Sequence, residues 1–223
     1  MNIEIKNIKK SYGKKQVLCG IDLSLNGGEC IGILGGNGCG KSTLLSILAG
    51  VSRPDAGELI VDGCDLFPLP ARHSALVGYV PQGTPLMEEL SARDNLRLWY
   101  DKKTLEKELS SGVLSMLGIE EFLKTPVSKM SGGMKKRLSI GCAVAGRPPI
   151  LLLDEPGAAL DLVCKESIVE YLRSYKAAGG ALLLATHDPL ELELCERWYI
   201  ITNGRLEPFE YKGDIAELTS RLK

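Results

Sequence analysis

Residues 35–42 of this 223-residue chain have the types and spacing that bind phosphate. They read Gly35, Gly36, Asn37, Gly38, Cys39, Gly40, Lys41 and Ser42. The order fits G-x-x-x-x-G-K-[ST], directly after an apolar strand pattern and directly before an apolar helix pattern. Glycine permits positive φ angles and lets backbone N–H groups converge on phosphate oxygens, while a helix N-terminus adds partial positive charge. The stretch predicts a nucleotide-binding site; the alternative is a glycine-rich turn that only begins a helix.

The side chains at the end of this loop predict how a nucleotide is held. We expect Lys41 to lie across the β- and γ-phosphates, Ser42 to hold Mg²⁺, and Thr43 to reach the α-phosphate. We interpret Cys39 as a residue that fits because it is small. Because its thiol lies beside a helix N-terminus and Lys41, we also expect it to be reactive and to be protected by bound ATP.

A second pair of candidate residues, Asp154 and Glu155, follows the apolar run in "ILLLDEP". This position is the carboxyl end of a predicted buried strand, where parallel sheets bind ligands. We expect Asp154 to hold Mg²⁺ through water and Glu155 to orient or deprotonate the water that attacks the γ-phosphate. Taken alone, such a pair has an alternative reading as a solvated strand end or helix start.

Hydrophobic patterns predict the elements that must position these residues. Alternating runs at residues 3–8, 17–25 and 58–61 indicate an antiparallel layer near the N-terminus. Almost continuously apolar runs indicate strands buried on both faces of a parallel sheet. Those runs are residues 30–34, 76–80, 150–153, 181–185 and 198–202. We predict an α/β fold: a P-loop NTPase core with a mainly parallel sheet, an N-terminal antiparallel β layer and an inserted helical lobe.

The helical lobe is predicted at residues 83–130, where helix formers and charges dominate and apolar positions recur every three to four residues. Residues 207–223 are predicted to form a short C-terminal tail, helical and packed on the core. The chain shows no internal repeat and no long linker, so we predict a single domain over residues 1–223.

Composition argues against several kinds of protein. Lys and Arg total 27 and Asp and Glu 28, so the net charge of -1 provides no basic field, and we expect no nucleic-acid partner. Seven cysteines without a C-x-x-C pair are typical of reduced thiols in a cytosol. No apolar run approaches the roughly 20 residues of a membrane span, and the first residues lack a secretory apolar core. We expect a cytoplasmic protein.

Five further motifs follow in a fixed order around the phosphate loop. They are "SYG" with Tyr12, "VPQ" with Gln82, "MSGGMKKR" with Ser131, Gly132 and Gly133, "GAALD" ending at Asp161, and "ATHD" with His187. Together with the phosphate loop, they resemble the ATP-binding subunits of ATP-binding cassette (ABC) transporters. The resemblance covers about residues 3–207 and implies an ATPase that uses ATP and Mg²⁺.

The resemblance also implies a role for each motif. Tyr12 would stack on adenine, and Gln82 would contact Mg²⁺ and the attacking water. His187 would touch the γ-phosphate and assist hydrolysis together with Glu155 and Gln82. Asp161 would belong to a loop that crosses a dimer interface.

The segment Ser131, Gly132 and Gly133 would contact the γ-phosphate of a nucleotide held by the partner subunit. Its residues precede a helix pattern, so a hydroxyl, backbone N–H groups and the helix dipole form a second anion site on the same chain. A head-to-tail dimer, with a second copy or a homologous ATPase subunit, would complete two composite ATP sites. ATP would join the subunits, and hydrolysis would release them.

The same resemblance implies a separate integral membrane permease as a partner. A cleft near Gln82 would receive a coupling helix from that permease, which would hold the chain on the cytoplasmic face of the membrane. Two alternatives remain: a soluble ABC ATPase that is not coupled to transport, and an ATP-dependent interaction module that does not hydrolyse ATP.

Several positions depart from the family pattern. Met130 and Met134 replace a leucine and a glutamine of the signature, and methionine at the latter position favours export over import. Gly157 and Ala158 replace the commoner Thr and Ser of the interface loop. We expect the lost hydroxyl to weaken coupling between subunits and to leave hydrolysis intact.

Overall fold

The computed structural model describes residues 1–158, 160–211 and 213. Within them, the strands are β1 (Asn2–Tyr12), β2 (Lys15–Asn26), β3 (Cys30–Leu34), β4 (Ala56–Val61), β5 (Cys64–Asp65), β6 (Val77–Val80), β7 (Ile150–Asp154), β8 (Ala181–Ala185), β9 (Arg197–Thr202) and β10 (Arg205–Phe209). The α-helices are α1 (Lys41–Leu48), α2 (Pro70–Leu76), α3 (Ala92–Leu96), α4 (Lys102–Ser111), α5 (Val113–Met116), α6 (Gly132–Ala143), α7 (Leu162–Ala177) and α8 (Pro189–Leu192). Two 3-10 turns lie at Ile119–Phe122 and Val127–Lys129.

Four strands form an antiparallel sheet in the order β2-β1-β4-β5. Ile3, Ile5 and Ile8 of β1 are buried, so one face of the strand contacts the core. Ile3 pairs with the buried residues Leu25 of β2 and Val61 of β4, which places the apolar side chains of three strands in one layer. The predicted N-terminal antiparallel layer is confirmed.

A second sheet has the order β10-β9-β3-β8-β7-β6, and its pairs are parallel except for β9 with β10. Every residue of β3, β7 and β8 is buried, because layers cover both faces. Leu151 and Leu153 of β7 pack among the helices, whereas Ile150 and Leu152 pack with α1 and the antiparallel sheet. The carboxyl ends of β3, β6, β7 and β8 therefore meet at one edge, where the candidate residues lie.

Helices α3 to α6 form a helical lobe between β6 and β7. The buried side chains of Leu96, Leu114 and Leu138 hold these helices in one apolar cluster with β7 and β8. The hydroxyl of Tyr100, just after α3, donates to the carbonyl of Gly141 in α6 at 2.7 Å. The lobe thereby fixes α6, which begins directly after Ser131, to the edge of the core.

Two local predictions are wrong. Leu76 is the last residue of α2, and the strand predicted to include it begins at Val77. Residues 207–209 belong to β10 and are not helical, since this segment pairs with β9, with Phe209 opposite Trp198. The rest of the predicted tail, from 214 to 223 together with Lys212, lies outside the described residues.

Candidate functional site

The predicted phosphate loop connects the buried strand β3 to the first residue of α1, Lys41. Gly35 and Gly40 have φ angles of +148° and +117°, which favour glycine. A Cβ atom at Gly40 would lie 2.9 Å from Leu18 Cδ2, so the loop packs closely on β2. In the part of the chain that the structure describes, no side chain caps the N-terminus of α1, which leaves its first N–H groups for an anion.

Lys41 lies across this loop and is only 6% exposed. Its Nζ donates to the carbonyl of Gly35 at 2.6 Å and to that of Gly36 at 3.4 Å. No ion pair joins it to a carboxylate among the described residues. A positive charge held by neutral carbonyls in a protected site is well placed to attract phosphate oxygens.

A pocket of about 450 Å³ opens beside the loop. Its lining includes Tyr12 at the end of β1, Gln82 after β6 and Glu155 after β7. The loop and helix contribute Asn37, Gly38, Gly40, Lys41, Ser42 and Thr43. The ring of Tyr12 is half exposed and can stack on a planar base, with Lys10 Nζ 5.4 Å from its centre.

Asp154 and Ser42 provide oxygen atoms that fit a magnesium ion. Asp154 is buried at the end of β7 and accepts a hydrogen bond from Ser42. Burial raises the pKa of Asp154, and the nearby charge of Glu155 adds to the effect. A buried carboxylate that is costly to ionise is stabilised by a divalent cation, and Mg²⁺ prefers such oxygen ligands.

Three predicted catalytic residues converge next to the pocket. Gln82 Nε2 donates to Glu155 Oε2 at 3.0 Å, and His187 Nε2 lies 3.9 Å from Glu155 Oε1. Glu155 has a φ of +48°, unusual for a residue with a side chain, and its N–H donates to the carbonyl of Ala185 at 2.7 Å. The three loops after β6, β7 and β8 thus aim their polar groups at one point.

The surroundings of His187 favour its neutral imidazole. Burial lowers its pKa, and the positive charge of Lys41 lowers it further, while Glu155 opposes the shift. The contact between His187 and Glu155 is therefore a polar contact and not a full ion pair. The buried Nδ1 of His187 has no hydrogen-bond partner among the described residues. A neutral imidazole can act as a hydrogen-bond donor at one nitrogen and as an acceptor at the other.

The structure does not bring the predicted signature residues to this pocket. Ser131 caps α6 by accepting from the N–H of Met134 at 3.2 Å, and Gly132 is exposed beside it. Gly133 packs against α7, because a Cβ atom there would lie 2.7 Å from Cys164 Sγ. None of Ser131, Gly132 and Gly133 lines the pocket at the phosphate loop.

Asp161 begins α7 next to the signature helix. It accepts from the N–H of Cys164 at 2.9 Å, and this hydrogen bond lowers the pKa of Asp161. Asp161 is also absent from the pocket lining. The N-termini of α6 and α7 together form a second polar surface, separate from the pocket.

Sequence reasoning missed Lys136, which lies in α6 and is buried. Its Nζ donates to the carbonyls of Pro81 and Gln82 at 3.0 and 3.1 Å, which ties the signature helix to the loop that carries Gln82. Burial lowers the pKa of Lys136, although the charges of Asp154, Glu191 and Glu155 oppose the shift. Lys136 lies three residues before Ser139 and four before Ile140, both buried, so helical periodicity could have placed it on the inward face of α6.

The two signature methionines have a packing role. Met130 is buried in the apolar cluster of the helical lobe, and the half-buried Met134 packs against the same cluster. Both side chains therefore pack on the apolar side of the signature segment, while the polar groups of Ser131 and Gly132 remain accessible.

Comparison with known proteins gives one consistent result. The family model described as ABC transporter matches residues 18–158. The linearmycin resistance ATP-binding protein LnrL of Bacillus subtilis (strain 168) is 35% identical over 219 residues, which are 96% of this chain and 70% of the relative. The Nod factor export ATP-binding protein I of Sinorhizobium fredii (strain NBRC 101917 / NGR234) is 39% identical over 211 residues, which are 91% of this chain and 61% of the relative.

Two solved structures share the fold over almost their whole length. An ATP-binding subunit of an ABC transporter superposes with a TM-score of 0.87 at 27% identity, covering 100% of this chain and 99% of that one. A dimeric post-hydrolysis state of an ATP-binding cassette, bound to ADP and Pi, has a TM-score of 0.82 at 28% identity and covers 92% and 96%.

Chemical modification tests the placement of Cys39 within the phosphate loop. Its half-buried thiol packs against Gly35, so a maleimide group there would force the predicted phosphate loop out of its arrangement. We expect maleimide to abolish nucleotide binding and ATP to slow the modification, measured by mass spectrometry and a fluorescent-nucleotide titration. Cys39→Ser should bind nucleotide with or without maleimide. Complete labelling of Cys39 with unchanged ATP affinity would contradict the assignment.

Proposed function

This chain belongs to the ABC transporter family, and we propose that it is the ATP-hydrolysing subunit of a membrane exporter. In this proposal it binds ATP and Mg²⁺, dimerises on ATP, and drives a separate integral membrane permease from the cytoplasmic face. The observation that carries the proposal is the convergence of Gln82, Glu155 and His187 next to the pocket that contains Lys41.

Each residue at the pocket has a task in this reaction. Lys41 leaves its loop carbonyls to contact the β- and γ-phosphates, and the N–H groups of residues 35–43 surround them. Tyr12 stacks on the adenine ring. Ser42 and Asp154, together with the amide oxygen of Gln82, would hold Mg²⁺, which would supply positive charge to neutralise the phosphates.

Glu155 accepts a proton from the attacking water or orients it toward the γ-phosphate. Gln82 fixes one oxygen of this carboxylate, and the neutral His187 lies near the other, where it can contact the γ-phosphate. The strained backbone of Glu155 supports the role, since such conformations cluster at functional sites.

The separation of two anion-binding surfaces supports a dimer. The pocket holds the phosphate loop, whereas Ser131, Gly132 and Gly133 lie outside it at the exposed start of α6. Asp161 extends this second surface at the start of α7. Two copies arranged head to tail place the second surface of each copy over the pocket of the other. A solved neighbour with ADP and Pi is dimeric.

An apolar cleft supports a permease partner. The cleft has a volume of about 870 Å³ and lies between the core and the helical lobe, beside Pro81 and the loop of Gln82. Trp99 is 65% exposed there, and Leu98 and Met87 are also exposed. Exposed apolar side chains of this size mark an interaction surface, and a cleft between helices fits an amphipathic helix. No helix of the described residues is long and apolar enough to cross a membrane.

Export is the direction that the relatives favour. One relative carries the name of a drug-resistance protein and another the name of an export protein. Met134 agrees with this direction. A soluble ATPase without a permease would leave the apolar cleft unexplained, and a non-hydrolysing module would leave the grouping of Glu155, Gln82 and His187 unexplained.

Replacing Glu155 by glutamine tests hydrolysis. Glu155→Gln should reduce Mg²⁺-dependent phosphate release by about 10²- to 10⁴-fold, because the amide cannot act as a base. ATP affinity should persist, since Lys41 and the loop are unchanged. The matched control is Glu166→Gln at an exposed position of α7. Equal phosphate release in the two variants would remove Glu155 from the mechanism and favour the non-hydrolysing module.

Introducing a charged residue into the apolar cleft tests whether the cleft binds a permease. Trp99→Asp should weaken retention of an integral membrane protein from solubilised source membranes by about tenfold or more, because an exposed aromatic side chain that the partner would cover is lost. ATP hydrolysis by the isolated chain should not change. Met116→Asp is the control, since Met116 is an exposed apolar residue of the lobe that does not line the cleft. Quantitative mass spectrometry that finds the same retention for both variants would contradict this use of the cleft.

A further inference from the structure

Glu191 is a buried acidic residue that the proposed roles do not use. It lies in α8, four residues after His187, and is 1% exposed. Burying a carboxylate is unfavourable unless hydrogen bonds or charges compensate it. Its surroundings therefore need an explanation.

The carboxylate of Glu191 contacts two loops of the candidate site. The hydroxyl of Thr186 donates to Oε2, and the backbone N–H of Gly157 donates to the carboxylate as well. Thr186 directly precedes His187, and Gly157 is two residues after Glu155. One side chain thus joins the loop after β7 to the loop after β8.

Gly157 gives this contact its close approach. A Cβ atom at position 157 would overlap Oε1 of Glu191, so the carboxylate occupies space that a larger residue would fill. Gly157, which stands where the family pattern commonly has Thr, therefore leaves the space that the carboxylate of Glu191 occupies. The hydroxyl of Thr186 also accepts from the N–H of Asp188 at 3.0 Å, which extends the network through the segment of His187.

We propose that Glu191 is a positioning residue for ATP hydrolysis, whose ionised carboxylate holds the loops of Glu155 and His187 in their working arrangement. This inference rests on the proposed ATPase function. Glu191 does not line the pocket, so it acts on the rate through Glu155 and His187 and leaves nucleotide affinity unchanged.

Glu191 changes its charge near neutral pH. Burial raises its pKa from 4.5 to about 7, and the charge of Asp188 acts in the same direction. The hydrogen bonds from Thr186 and Gly157 and the positive charge of Lys165 in α7 oppose this shift. Lys136 of α6 also faces Glu191 and interacts with its charge. Only the ionised carboxylate accepts from both donors with both oxygens, so the rate should fall as the pH decreases through about 7.

Protein stability should follow the opposite trend. Because the folded-state pKa of Glu191 lies above its ordinary value of 4.5, the folded state binds the proton more tightly than the unfolded state. The contribution of Glu191 to the free energy of unfolding decreases as the pH rises from 4.5 to about 7 and stays low above that pH. Replacing Glu191 by a neutral residue of the same shape should therefore remove this decrease in the free energy of unfolding.

The experiment compares Glu191→Gln with Glu193→Gln, an exposed glutamate six positions after His187 at the C-cap of α8. ATP hydrolysis is measured at saturating Mg-ATP between about pH 6 and pH 8.5, together with thermal melting at about pH 5.5 and pH 8. We expect Glu191→Gln to lower kcat at about pH 8 by about tenfold with KM unchanged, and to lose the decrease on the acidic side. It should melt above the control at both pH values, and by a larger margin at about pH 8.

Variants of Thr186 separate positioning from a general packing effect. Thr186→Val removes the hydroxyl and should reproduce the loss in kcat, whereas Thr186→Ser keeps the donor and should restore it. A kcat and pH profile of Glu191→Gln equal to those of Glu193→Gln would overturn the inference. Equal rates for Thr186→Val and Thr186→Ser, or a change in KM alone, would overturn it as well.

Failure of this inference can be distinguished from failure of the proposed function. If Glu155→Gln abolishes hydrolysis while Glu191→Gln matches its control, only the role of Glu191 is wrong. If Glu155→Gln is fully active, or the unmodified chain hydrolyses no ATP, the proposed function fails and the role of Glu191 fails with it.

Discussion

The ammonium group of Lys41, nearly buried and held by the carbonyls of Gly35 and Gly36, is the interaction on which the rest of the structure depends. A cation in such a place is stable only if the backbone around it is fixed. Strand β3, buried along its whole length, and helix α1, buried along one face, provide that support. The backbone N–H groups of the loop between them can then face phosphates without reorganising, and only the side chain of Lys41 has to move.

The parallel sheet transmits this arrangement to the other loops. Since β3, β6, β7 and β8 end at the same edge, Gln82, Glu155 and His187 meet there although they are far apart in sequence. Lys136 and Glu191 add buried polar links between these loops and the helices behind them. A shift of one loop would therefore displace the others.

Sequence patterns predicted most strands of both sheets because long apolar runs and alternation leave few alternative folds, as for β3 and β7. Lys41 and Ser42, which the phosphate-loop spacing singled out, line the pocket, whereas Gly35, Gly36 and Cys39 of the same loop do not. Sequence patterns did not predict β10, because its pairing with β9 is an edge contact that local composition does not encode. Lys136 and Glu191 were missed because their partners are backbone groups and side chains brought together only by the tertiary fold.

The central claim is that each chain carries two halves of different ATP sites, and sedimentation velocity tests it most directly. In a chain whose hydrolysis is blocked by Glu155→Gln, Mg-ATP should produce a dimer and ADP a monomer, because only ATP offers a γ-phosphate to Ser131 of the second copy. Adding Ser131→Arg to this chain should prevent the dimer while fluorescence still reports ATP binding. An equally stable dimer of the chain that carries both Glu155→Gln and Ser131→Arg would contradict the account. So would a monomer of the Glu155→Gln chain with ATP bound.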